Sequence, residues 1–200
     1  VLSELTEKGI NFEDGLPTEV MLDKVPKARV DEFFRVIIPL AKKQQAIDQI
    51  PWHFRTLQMA LESGFATSIL SQEKGKAFKD RRKKCLGTIR CGAYNYGGLK
   101  CKFGAKCQLN HGCVEMWDDN IRDRFLSFNS TEDFMKGHGE FLIKNGYRKT
   151  AFALAKKYGK SQSNFFIWVE TMQIKGYATS DSYKKLLIKM NEKYQLYKTK

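Results

Sequence analysis

Apolar residues recur at helical spacing along most of this chain, and in one stretch they crowd nearly every side. Over residues 30–48, Val30, Phe33, Phe34, Ile37, Ile38 and Ala41 fall three and four apart, which predicts an amphipathic helix packed on a core. Pro39 inside that run predicts a kink or a later start. Residues 53–63 are denser. Phe54, Leu57, Met59, Ala60 and Leu61 leave little room for a polar face, so this helix is expected to be buried on most sides. Pro51 stands where a helix start tolerates proline, and Gly64 where a helix stop favours glycine. After Asn129 the helical period returns. Ser130 to Asp133 form a capping-box-like start ahead of Phe134, Phe141 and Leu142. Further helices are predicted over 148–158, from about 164 to a stop at Gly176, and from a Ser180-Asp181 cap through Tyr183, Leu186, Leu187 and Met190.

The periodicity fails in two places. Residues 1–29 carry Gly9, Gly15, Pro17 and Pro26 with weak patterning and read as an N-terminal arm. Residues 68–92 are polar and basic, and 93–128 mix Gly97, Gly98, Gly104 and Gly112 with aromatics and cysteines. There, Val114 to Trp117, the polar Asp118-Asp119-Asn120 and then Ile121 to Phe128 predict two short strands across a turn. The fold class is therefore mainly α with one small β-lobe, in a domain over 30–200.

Composition narrows the partners. The chain has 200 residues, 42% of them hydrophobic, enough for one domain with a substantial core. No run of about 18 apolar residues occurs, so no membrane-spanning helix is expected. The net charge of +13 calls for an anionic partner such as nucleic acid, a phosphate-rich surface or an acidic envelope polymer. Basic residues are densest at Lys74, Lys76, Lys79, Arg81, Arg82, Lys83 and Lys84, a run that equally suits a solvated loop.

Two sets of residues can carry chemistry. Glu62 falls in the last turn of the buried helix, where unpaired carbonyls disfavour negative charge and partial burial adds to the effect. Its carboxyl is expected to hold its proton near neutrality, as a general acid must. The other set is cysteine-rich. All 5 cysteines lie between Cys85 and Cys113, and an odd number cannot pair completely within the chain. Cys91, Cys101, Cys107 and His111 resemble the three-Cys-one-His zinc finger of RNA-binding proteins, with Phe103 placed to stack on bases and Lys102 and Lys106 to meet phosphate. A structural zinc stapling a small lobe is the expectation, with Cys85 and Cys113 as alternative ligands and disulfides as the alternative chemistry.

Three blocks then resemble the glucosaminidases of glycoside hydrolase family 73, the autolysin and flagellar-type enzymes that cut peptidoglycan. Gln58 to Ser68 is similar to that family's helix ending in Leu-Glu-Ser-Gly-Trp, Asn95 to Lys100 to its Asn-x-Phe-Gly-Ile-Lys segment, and Lys175 to Tyr183 to its Gly-Tyr-Ala-Thr-Asp-x-x-Tyr block. The family's Phe is Gly97 here, and the long spacing from Glu62 to Asn95 marks 69–92 as an insertion within a Cys-rich lobe of about 69–128.

The resemblance implies a lysozyme-like fold and cleavage of the β-1,4 bond after N-acetylglucosamine, with Glu62 as the acid. It implies a second carboxylate from the β-lobe: Glu115, with Asp118, Asp119 and Asp123 as rivals. The substrate's acetamido group is a further candidate nucleophile. Asn95, Tyr96 and Tyr177 become candidates for binding substrate. The implied partner is a peptidoglycan glycan strand, with other virion or envelope proteins reached through residues 1–29. With no signal peptide visible at its start, the expected setting is a phage virion or lysis enzyme acting at the extracellular or periplasmic cell wall. The competing classes are a muramidase, a zinc-dependent RNA-binding module and an inactive lysozyme-like virion protein.

Overall fold

The computed structural model describes residues 19–72, 93–101, 112–118, 121–161, 163–178 and 181–196. Among the described residues, seven α-helices surround the main apolar core and a hairpin stands to one side: α1 Glu19–Asp23, α2 Lys27–Asp48, α3 Trp52–Ser63, β1 Cys113–Asp118, β2 Ile121–Leu126, α4 Thr131–Lys144, α5 Tyr147–Tyr158, α6 Asn164–Ile174 and α7 Asp181–Tyr194. Helix α3 is the axis of the bundle and packs against α2, α6 and α7. Its sequence explains that place. Phe54, Leu57, Met59, Ala60 and Leu61 are all buried, on every side of the helix. Pro51 precedes its first turn, and Gly64 ends it with φ 56°.

Helix α2 continues as one helix through Pro39 from a start at Lys27, earlier than the expected later start. Pro39 lies on the exposed side, where a lost backbone donor is replaced by water. The helix starts at Lys27, and Leu22 and Val25 ahead of it are buried in the core, so the later part of the N-terminal stretch packs on the bundle. Residues 1–18 lie outside the described residues. The expected start of α4 is present, with Ser130 Oγ accepting from Asp133 N–H at 3.1 Å. Helix α6 is capped by Ser163 in the same way.

The predicted hairpin is also present. Its antiparallel register pairs Cys113 with Leu126, Val114 with Phe125 and Glu115 with Arg124. Residues 99–101 add an edge to β2, with Cys101 N–H donating to Arg124 O and Leu126 N–H to Leu99 O, both at 2.8 Å. A small second core of Leu70, Ala93 and Phe125, flanked by Val114, joins this lobe to the turn after α3. Tyr94 N–H donates to Gln72 O at 2.9 Å, which ties the turn after α3 to the start of the 93–101 segment. Among the described residues, no helix is long and apolar enough to cross a membrane.

Candidate active site

Glu62 occupies the last turn of α3, half-buried, with Oε1 enclosed and without a hydrogen-bond partner. The turn that follows fixes it. Gly64, Phe65 and Ala66 take φ values of 56°, 55° and 58°, three left-handed residues in succession. Only glycine adopts that region without cost, so the turn needs outside support. Phe65 is wholly buried, Ser63 Oγ accepts from Ala66 N–H at 2.9 Å, and the Arg29 guanidinium donates to the carbonyls of Phe65 and Ala66.

Two tyrosines close over the carboxyl. Tyr183, from α7, is a hydrogen-bond partner of Glu62, and Tyr177, after α6, stands close enough to feel its charge. Their rings lie 6.0 Å apart, and Tyr177 Oη donates to Gly97 O at 3.3 Å. Burial raises the Glu62 carboxyl to about 8, and the Tyr183 hydrogen bond pulls the other way. The leading cause is thus desolvation, more than the helix-end carbonyls weighed from the sequence. Both tyrosine hydroxyls are held well above their usual range, first by burial and then by the neighbouring glutamate. A protonated carboxyl between two neutral phenols is an arrangement that can give up a proton near neutral pH.

Of the three residues expected to meet substrate, only Tyr177 stands beside Glu62. Asn95 is 1% exposed and its polar atoms are turned inward: Nδ2 donates to Leu99 O and Leu126 O at 3.0 and 2.9 Å, and Oδ1 accepts from Gly97 and Leu99 N–H. It shapes the 95–99 loop and pins it to β2. Tyr96 is also buried, with Oη 3.0 Å from Thr131 Oγ1 and its ring on Phe134. A Cβ on Gly97 would approach Phe134 Cζ to 3.2 Å, so Phe134 fills the space that the family's phenylalanine would need. Sequence reasoning passed over Tyr183, which stands beside Glu62. Tyr183 looked like a core position of α7, and the one available signal was its place at the end of the Lys175 to Tyr183 block.

Among the second-carboxylate candidates, Glu115 lies in β1 opposite Arg124, Asp118 opposite Ile121 and Asp123 opposite Met116, while Asp119 lies outside the described residues. The expected zinc ligand set is corrected at Cys101, and at Cys113 as its alternative. Cys101 is joined to Cys113 by a disulfide, with 6.4 Å between their Cα atoms, so neither sulfur is a thiolate ligand. Cys91, Cys107 and His111, like Cys85, Lys102, Phe103 and Lys106, lie outside the described residues. Among the described residues, no group of three or more His, Cys, Asp or Glu side chains is placed to hold a metal ion.

The glucosaminidase family model, described as mannosyl-glycoprotein endo-beta-N-acetylglucosaminidase, matches residues 38–196. The chain belongs to the glucosaminidase family. This makes it a glycoside hydrolase, and the matched span runs from α2 to the end of α7. Solved structures similar to this glucosaminidase share its fold. The glycoside hydrolase domain of FlgJ from Salmonella typhimurium is 17% identical with a TM-score of 0.57, covering 83% of this chain and 88% of that one. The peptidoglycan hydrolase from Sphingomonas sp. A1 is 21% identical with a TM-score of 0.55, covering 78% and 83%. The catalytic domain of the autolysin Auto from Listeria monocytogenes is 18% identical with a TM-score of 0.55, covering 86% and 88%. The expected lysozyme-like fold is therefore present. No curated protein matches.

Proposed function

We propose that this glucosaminidase hydrolyses peptidoglycan at the β-1,4 bond after N-acetylglucosamine, with Glu62 as the general acid. The observation that carries the proposal is the placement of Glu62 in the last turn of a buried helix, with Oε1 enclosed and Tyr177 and Tyr183 beside it, surroundings that raise its carboxyl to about 8. Protonated at neutral pH, Glu62 delivers its proton to the glycosidic oxygen as that bond breaks, which relieves the charge developing on the leaving sugar. The positive charge that appears on the other sugar needs a partner on the opposite side. Glu115 of β1 is our choice, with Asp118, Asp119 and Asp123 as rivals. The substrate's own acetamido oxygen is the other source of that stabilisation. Tyr177, whose hydroxyl donates to the Gly97 carbonyl, is our candidate for the substrate side of the acid.

Peptidoglycan as substrate fits the net charge of +13, which draws the enzyme toward an anionic wall. Its site of action is then the cell wall, in an extracellular or periplasmic setting. Purified peptidoglycan incubated with the wild type should release new reducing ends, and Glu62→Gln should release them about 100- to 10,000-fold more slowly. Equal rates from the two proteins would remove Glu62 from the acid's role.

A further inference from the structure

We propose that Gln58 is a positioning residue, which acts through the Tyr183 hydroxyl to fix the orientation of the catalytic acid. The inference rests on the reading of Glu62 as that acid. Gln58 and Glu62 are four residues apart on α3, so they lie one above the other on the same face. Gln58 Nε2 donates to Tyr183 Oη at 3.1 Å. An amide nitrogen can only donate, so Tyr183 accepts there, and its own hydrogen is left for the Glu62 carboxyl, its other partner. The three groups form a directed chain from α3 across to α7 and back to α3.

The placement of Gln58 makes little sense as packing. It is 0% exposed, among Phe54, Leu57, Met59 and Leu61, and its Oε1 has no partner. A buried polar atom left unsatisfied weakens a fold, and an apolar side chain of like size would suit this helix better. The residue sacrifices stability for direction. By holding the Tyr183 proton toward one carboxyl oxygen, Gln58 restricts rotation of the carboxyl.

The test compares Gln58→Met, Tyr183→Phe, the double variant and Glu62→Gln on soluble peptidoglycan fragments, with melting temperature, kcat, KM and the pH profile of kcat recorded for each. Gln58→Met should melt no lower than wild type, keep KM within about twofold and lose about tenfold or more in kcat. The basic limb of its pH profile should move upward, because a weaker Tyr183 donor stabilises the carboxylate less. The double variant should be no slower than Tyr183→Phe alone, since Gln58 acts only through that hydroxyl. An unchanged kcat and basic limb in Gln58→Met, or losses that multiply in the double variant, would overturn the proposal. Should Gln58→Met fail to fold, Tyr183→Phe with an unmoved basic limb would overturn it instead. Glu62→Gln separates the two readings: inactive Glu62→Gln beside a wild-type Gln58→Met sinks the relay alone, whereas active Glu62→Gln sinks both.

Discussion

At the scale of single residues, the chemistry and the stability of this protein pull in opposite directions. The folded protein keeps the Glu62 proton up to about pH 8, while the unfolded chain releases it near 4.5. Between those values the native state binds more protons, so stability falls as pH rises through the window. Glu62→Gln should therefore gain stability over wild type as pH is raised from 5 to 8, by no more than about 1.4 kcal/mol for each pKa unit, reduced by solvent at a half-buried group. Urea titrations at both pH values read this directly, and a constant difference would contradict it. A second buried charge lies one helix end away. Asp48 Oδ2 meets Arg55 Nη2 at 2.5 Å with both side chains almost wholly enclosed, and Asp48 Oδ1 accepts from Ile50 N–H. Removing one partner strands the other, so Asp48→Ala should cost about 3–5 kcal/mol, and Asp48→Ala with Arg55→Met should recover part of it. Gly139→Ala should be damaging by steric overlap, since its Cβ would lie 2.3 Å from Asp48 Oδ2 and push into the pair. Glu62 was legible in the sequence because its helix is hydrophobic all round. The Asp48–Arg55 pair was not, because a charged residue among apolar neighbours gives no sign of which distant partner satisfies it.

At the scale of elements, what reads from the sequence is what local chemistry decides. The bounds of α3 follow from Pro51 and Gly64, the start of α4 from the Ser130 cap, and the hairpin from two apolar runs around Asp118 to Asn120. What does not read is set by long-range partners. Asn95 looked like a polar group for substrate, yet its four hydrogen bonds to the 97–99 backbone and β2 make it the keystone of a loop. Cysteine spacing suggested zinc, whereas the pairing of Cys101 with Cys113 depends on how β1 and the 99–101 edge meet. That disulfide closes a short loop, so replacing both cysteines by serine should lower stability by about 2–4 kcal/mol. The loss should be local. Hydrogen exchange should speed up at the Leu126 amide, which donates to Leu99 O, and leave α3 unchanged. The turn after α3 invites a parallel test. Arg29→Ala removes the donors that hold the Phe65 and Ala66 carbonyls in a left-handed run, and activity should fall more than the melting temperature does.

At the scale of the whole molecule, one buried helix carries Glu62, the proposed acid, in its last turn, and the turn that follows joins the helical body to a small hairpin lobe. The body supplies rigidity: α3 is gripped by α2, α6 and α7, and the two tyrosines over Glu62 arrive from the far end of the chain. The net charge of +13 belongs to this scale too. Attraction to an anionic wall is screened over about 8–10 Å at physiological salt, so cleavage of intact walls should slow with added salt more than cleavage of short neutral fragments. Similar slopes for both substrates would show that charge does not guide the enzyme. The measurement that tests the account most directly is mass spectrometry of the products released from purified peptidoglycan by wild type and Glu62→Gln. Fragments with N-acetylglucosamine at the new reducing end, present with wild type and lost with a folded Glu62→Gln, are the predicted result. Fragments ending in N-acetylmuramic acid, or the same products from both proteins, would contradict it.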